Sequence, residues 1–344
     1  MLEITVQDNA IAFGDSFSLN FQRTLRIPDD GKTYPLPPGL GTFPVCRVED
    51  HQDTVPASWL EHGGVFIPMY QREALWISFD SCAWRPNAIK VAVGKINAIS
   101  GKPWHQKLEK STKKKRRKKE YVAEADYIVA PPQPWLDGIN AGNGYIKQFV
   151  AMPLGLGYTV EGQITGKEEF GGIQIIVYEP KLGKFSNIKR SRGSIDFMEM
   201  ELERGSDECA FAGEMGIAAG GKMRQKIYRD PHGVDTWDEG NYGRVYVHIV
   251  NSLMYREITG KEPPNTPVTV KTYAKHNLPW FDVYDETISD IAPSPELSQV
   301  KSIKEMDAEK GFPAQQDDNS VDLSHSEKIQ YFIDNSHKVS DGDW

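Results

Sequence analysis

The sequence predicts a mainly β protein, antiparallel and sandwich-like, with a few helices in its second half and C-terminal tail. Apolar and polar residues alternate in most of its segments, which puts one face of a strand on a core and the other in water. Glycine- and proline-rich turn chemistry separates these segments at short intervals. The 344 residues, 39% hydrophobic and 26% charged, suffice for one large domain or two, and the strand-after-strand pattern favours stacked sheets over a doubly wound one.

The first region, 1–106, reads as successive strands. Leu2, Ile4 and Val6 alternate, as do Phe17, Leu19 and Phe21. Residues 65–70 and 74–79 read as a pair of strands, and so do 89–93 and 96–99 across Gly94-Lys95. Residues 107–126 carry a basic block whose self-repulsion predicts a disordered loop. The third region, 127–292, is expected to be β-rich with one helix. Its strands are predicted at 148–153, 158–163, 171–178 and 243–250, and its helix begins at Thr266-Pro267. The fourth, 293–344, reads as a polar tail carrying docking helices over 295–310 and 324–335. Ser100-Gly101-Lys102-Pro103, Thr165-Gly166-Lys167-Glu168 and Thr259-Gly260-Lys261-Glu262 suggest equivalent hairpin turns.

Net charge is −8 but unevenly spread. Lys110, Lys113, Lys114, Lys115, Arg116, Arg117, Lys118 and Lys119 hold eight positive charges; without them 32 basic residues face 48 acidic ones. The body is therefore acidic and is expected to repel nucleic acid and anionic membranes. The block Lys113–Lys119 reads as a solvated insertion, or as a nuclear localisation signal or polyanion patch. Cys46, Cys82 and Cys209 have no disulfide or zinc spacing. They predict free thiols, a reducing compartment and a cytoplasmic location, with the nucleus as the alternative through Lys113–Lys119. The N-terminus lacks the pattern of a secretory signal, and no apolar run is long enough to span a membrane.

Two constellations stand beside simpler readings. Asp230, Asp235, Asp238 and Glu239 offer oxygens to calcium, although their spacing misses the calcium loop and a surface turn explains them as well. Trp84, Trp280, Phe281 and Tyr284 would line a ligand groove or pack a core. The eight histidines show no paired spacing of a helical metal site. The glycines at 155–157 and 213–221 fit no nucleotide loop, so no cofactor is expected.

Two resemblances add to these readings. Phe13-Gly14-Asp15-Ser16 resembles the first block of the GDS-type ester hydrolases, and Asp322-Leu323-Ser324-His325 matches their Asp-x-x-His. The resemblance implies Ser16 as nucleophile, His325 as base and Asp322 as its orienter. That family places a helix after the serine, whereas 17–21 here reads as a strand. The segments Gln148–Gly155, Gly157–Glu161, Gly171–Gln174 and Leu278–Asp282 are similar to a family of microbial cytosolic proteins of no known activity. That resemblance implies one ordered fold and supplies no site. The leading expectation is a non-enzymatic structural or interaction protein that self-associates, with the chain itself as partner. The alternatives are a ligand-binding β protein and the serine hydrolase.

Overall fold

The computed structural model describes residues 1–82, 84–109, 112–116, 119–123, 125–185, 212–265, 267, 280–283, 289–313, 315 and 328–331. Among them, seventeen strands join into one connected, mainly antiparallel sheet. The chain enters through a hairpin, Ile4–Gln7 with Ala10–Phe13, whose turn residues Asp8 and Asn9 take positive φ. A second turn at Gly14 (φ 57°) leads into Phe17–Thr24.

Phe17–Thr24 pairs along its whole length with Ala74–Ser81, from Phe17 opposite Ser81 to Thr24 opposite Ala74. The other edge of Ala74–Ser81 takes Trp135–Leu136 and Tyr145–Pro153, and the latter pairs onward with Glu214–Arg224. A second run of strands orders Asn87–Val93, Ile173–Pro180, Trp237–Val250 and Val65–Pro68, the last pairing parallel. The two runs meet where Glu214 and Met215 oppose Val250 and Ile249.

Strand periodicity explains the sandwich. Phe17, Leu19, Phe21, Leu75, Ile77 and Phe79 of one run share a single buried core with Ile89, Val91, Ile173, Ile175, Val247 and Ile249 of the other. The intervening residues face outward and are covered locally. Trp59 of helix Ala57–His62 and Tyr255 of helix Ser252–Thr259 pack on Phe66 and Val250. Ile303 of helix Ile303–Glu309 packs on Ala74, Val150 and Ala218. Strands of the two halves pair with one another, and residues of both share one core, so 1–106 and 127–292 build it together. No helix among the described residues is long and apolar enough to cross a membrane.

Several local expectations are corrected. Val65–Pro68 does not pair with Ala74–Ser81; it joins the opposite run, between Trp237–Val250 and Cys46–Arg47. Pro68 ends that strand and Arg72 turns at positive φ (68°), which carries the chain across to the other layer. The predicted strand at 158–163 is largely the helix Val160–Thr165, because the Thr159 side chain caps Gly162 N–H and Gly166 closes the end at φ 77°. Thr-Gly-Lys-Glu is in both its copies a helix end rather than a hairpin turn. Thr165 and Thr259 hydroxyls donate back to the carbonyls of Glu161 and Tyr255, and accept from Lys167 and Lys261 N–H.

The single helix expected over 295–310 is two, Pro295–Ser298 and Ile303–Glu309. Ser302 and Glu305 form a capping box that starts the second one afresh. Where a last helix was expected, Lys328–Tyr331 is a strand parallel to Trp280–Val283. The basic block is not loop throughout, since Thr112–Arg116 and Lys119–Ala123 pair as an antiparallel ribbon, with Lys115 opposite Glu120. The helix expected from Thr266 lies outside the described residues.

Candidate functional site

Lys90 lies within Asn87–Val93, a strand with all seven residues buried. Its neighbours Ile89 and Val91 face the shared core, so the pleat turns Lys90 to the outer face. There it is covered by the two chain segments that lead into and out of the basic ribbon. A buried ammonium needs a counter-charge and full hydrogen bonding, and these two segments supply both. Lys90 Nζ lies 2.6 Å from Asp126 Oδ2, with both side chains 1% exposed. It also donates to the carbonyls of His105 (2.7 Å) and Lys107 (2.6 Å) and lies 5.8 Å from the Trp104 ring centroid. Burial pushes its pKa down, against the opposing pull of Asp126.

Around this pair the ribbon's base is knitted together. His105 Nε2 is 3.2 Å from Glu109 Oε1 and 3.3 Å from Asp126 Oδ2. Glu109 N–H donates to Asp126 Oδ1 at 2.9 Å, and Lys102 pairs with Glu109, holding its carboxyl below the usual range. Leu108 N–H donates to Glu239 Oε1, and Asn97 Nδ2 to the Asp126 carbonyl, each at 2.8 Å. His105, Glu109 and Asp126 bring one ligand atom each within 4.8 Å of one another, close enough that the three could hold a metal ion.

The sequence-predicted residues fall elsewhere. Ser16 is 1% exposed, and its hydroxyl donates to Asn87 Oδ1 at 3.3 Å in the turn between two strands. Asp322 and His325 lie outside the described residues. Trp280 is fully buried in the shared core, while Trp84 is half-buried after the Ala74–Ser81 strand. The Phe281 side chain and Tyr284 lie outside the described residues.

The acidic residues each serve their own neighbours. Asp230 accepts from Tyr127 Oη (2.6 Å), Trp237 Nε1 (2.9 Å) and His232 N–H (2.7 Å). Asp238 accepts from Gly240 N–H, Glu239 serves Leu108, and the Asp235 carbonyl accepts from Lys181. Three of these residues thus tie turns together, and no trio of the four gathers as a cation site among the described residues. Of the basic patch, Lys113, Lys114, Lys115, Arg116 and Lys119 lie in the ribbon's strands, while Arg117 and Lys118 lie outside the described residues.

Sequence reasoning missed Lys90, His105, Glu109 and Asp126. One signal was present: a lysine inside the apolar run Ile89-Lys90-Val91-Ala92-Val93. Comparison of the chain with known protein families, with curated proteins and with solved structures finds no match.

Proposed function

We propose that this chain is an interaction protein that self-associates, its basic ribbon docking on the acidic body of a second copy. The observation that carries this reading is a concentrated positive element set on a fixed base. Thr112–Arg116 and Lys119–Ala123 are paired in register, and the segments flanking them are tied down by the buried Lys90–Asp126 pair. A block of like charges repels itself, and a negative surface relieves that repulsion. The remainder of the chain, with 32 basic against 48 acidic residues, carries the complementary charge. Charge complementarity of this kind steers association and sets register more than it adds affinity, and it is screened beyond about 8 Å at physiological ionic strength.

Light scattering behind size exclusion, across protein and salt concentration, tests this reading. The expected result is a multiple of 38.7 kDa at low salt that falls toward the single chain as salt rises. A Lys114→Glu/Arg116→Glu variant is expected to remain a single chain. A wild-type protein that stays monomeric at low salt and high concentration overturns the reading. If that monomer instead retains a homopolymeric oligonucleotide, the ribbon serves a nucleic-acid partner.

A further inference from the structure

We propose that His105 Nε2, Glu109 Oε1 and Asp126 Oδ2 bind one divalent transition metal of the zinc class at the foot of the ribbon. The geometry comes first. Zinc bonds to nitrogen and oxygen are about 2.0–2.2 Å long, and a tetrahedral angle sets such donors roughly 3.3–3.6 Å apart. The distances from His105 Nε2 to the two carboxylate oxygens are 3.2 and 3.3 Å. The donors come from both segments, His105 and Glu109 before the ribbon and Asp126 after it, so a metal would clasp its two ends.

Both carboxylates are also held from behind, as groups around a metal orient its ligands. Asp126 Oδ1 accepts from Glu109 N–H. The other Glu109 oxygen pairs with Lys102. Access is one-sided: the His105 and Glu109 side chains are 39% and 33% exposed, while Asp126 is 1% exposed. That arrangement leaves an entry path and a fourth position for water.

Charge permits the ion. Glu109, Asp126 and Glu239 all act on Lys90. Lys90 keeps its two carbonyl partners if Asp126 Oδ2 is shared. Lys102, 44% exposed, can return its ammonium to water at little cost. Calcium and magnesium fit poorly, because a site with one imidazole and two carboxylates falls short of their oxygen shells.

The site stands whether or not the ribbon self-associates. The test titrates tag-free full-length protein with Co(II) or Zn(II) alone, followed by calorimetry and by the visible d–d absorption of Co(II). One equivalent is expected, with intense tetrahedral-type absorption. His105→Ala and Glu109→Gln, both at half-exposed positions that spare the buried pair, are each expected to weaken binding more than about tenfold. Circular dichroism confirms that these variants are folded. Absence of binding by the wild type overturns the proposal. So does equal binding by the wild type and both folded variants, which would leave an ion-pair network with adventitious surface metal.

Discussion

Lys90 and Asp126 form an ion pair of 2.6 Å between two side chains that are each 1% exposed. The pair joins a central strand to the segment that leaves the basic ribbon. Removing one partner strands the other charge in a dry site, which costs about 3–5 kcal/mol. Lys90→Met is therefore expected to lower the urea midpoint sharply. The double variant Lys90→Met/Asp126→Leu is expected to recover much of that loss, because two apolar groups leave no uncompensated charge. Equal stability of Lys90→Met and wild type would contradict this account.

Asp137 gives the protein a specific pH dependence. Its carboxyl is buried and its pKa is pushed up to about 8, chiefly by burial and against hydrogen bonds from Trp135 and Gln225. A folded-state pKa raised above the unfolded value means the native state holds the proton more tightly. This contribution is full below about pH 4 and is lost as pH rises through about 8. Its steepest slope is about 1.4 kcal/mol per pH unit. Asp137→Asn keeps the acceptor for Gln225 and is expected to flatten this part of the stability profile. Unfolding midpoints of both proteins at pH 5, 7 and 9 provide the check, and parallel profiles would count against it.

Gly64 has no room for a side chain. Its φ is +92°, and an added Cβ would stand 2.2 Å from the backbone carbonyl oxygen of Tyr246. Since the obstacle is the partner strand's main chain, Gly64→Ala should cost at least about 2 kcal/mol. Gly233→Ala tests the separate effect of conformation, because it shares a positive φ (83°) but meets nothing within 4 Å. It is expected to cost less in the same thermal melt.

Helix Ile303–Glu309 is latched through Asp307. That carboxylate takes Arg72 Nη2 at 2.7 and 2.9 Å and Tyr158 Oη at 2.7 Å. Tyr158→Phe deletes one bond to a charged group, worth about 1.5–3 kcal/mol. Hydrogen exchange should speed selectively at the amides of 303–309. Unchanged protection there would show that the Arg72 pair and apolar packing on Ala74 and Ala218 retain the helix without the Tyr158 bond.

Ser16 is expected to behave as a packing residue. Its hydroxyl bonds Asn87 Oδ1, and Asn87 Nδ2 donates on to the Tyr178 carbonyl at 3.4 Å. Ser16→Ala should cost about 0.5–1.5 kcal/mol and leave any turnover of a p-nitrophenyl ester unchanged. Wild-type esterase activity that vanishes in this variant would restore the nucleophile reading.

The sequence by itself determined the strands and most of their faces. Phe17, Leu19 and Phe21 alternate inward, and Ile89, Val91 and Val93 do the same, because alternation is written locally in the chain. It also determined the uneven charge. What it could not supply was pairing between distant segments. Val65–Pro68 beside Trp237–Val250 and Phe17–Thr24 beside Ala74–Ser81 depend on which layer each strand enters, and that choice minimises exposed apolar area over the whole core. Helix Val160–Thr165 was misread because its length is short and its residues are apolar enough for a strand, while the decisive cap is a single threonine.

The cluster at the ribbon's foot was hidden for the same reason. Lys90 announced only that a buried charge needed an answer. Asp126 lies 36 positions away and His105 lies 15. Only folding the two flanking segments over one strand decided that they would meet there.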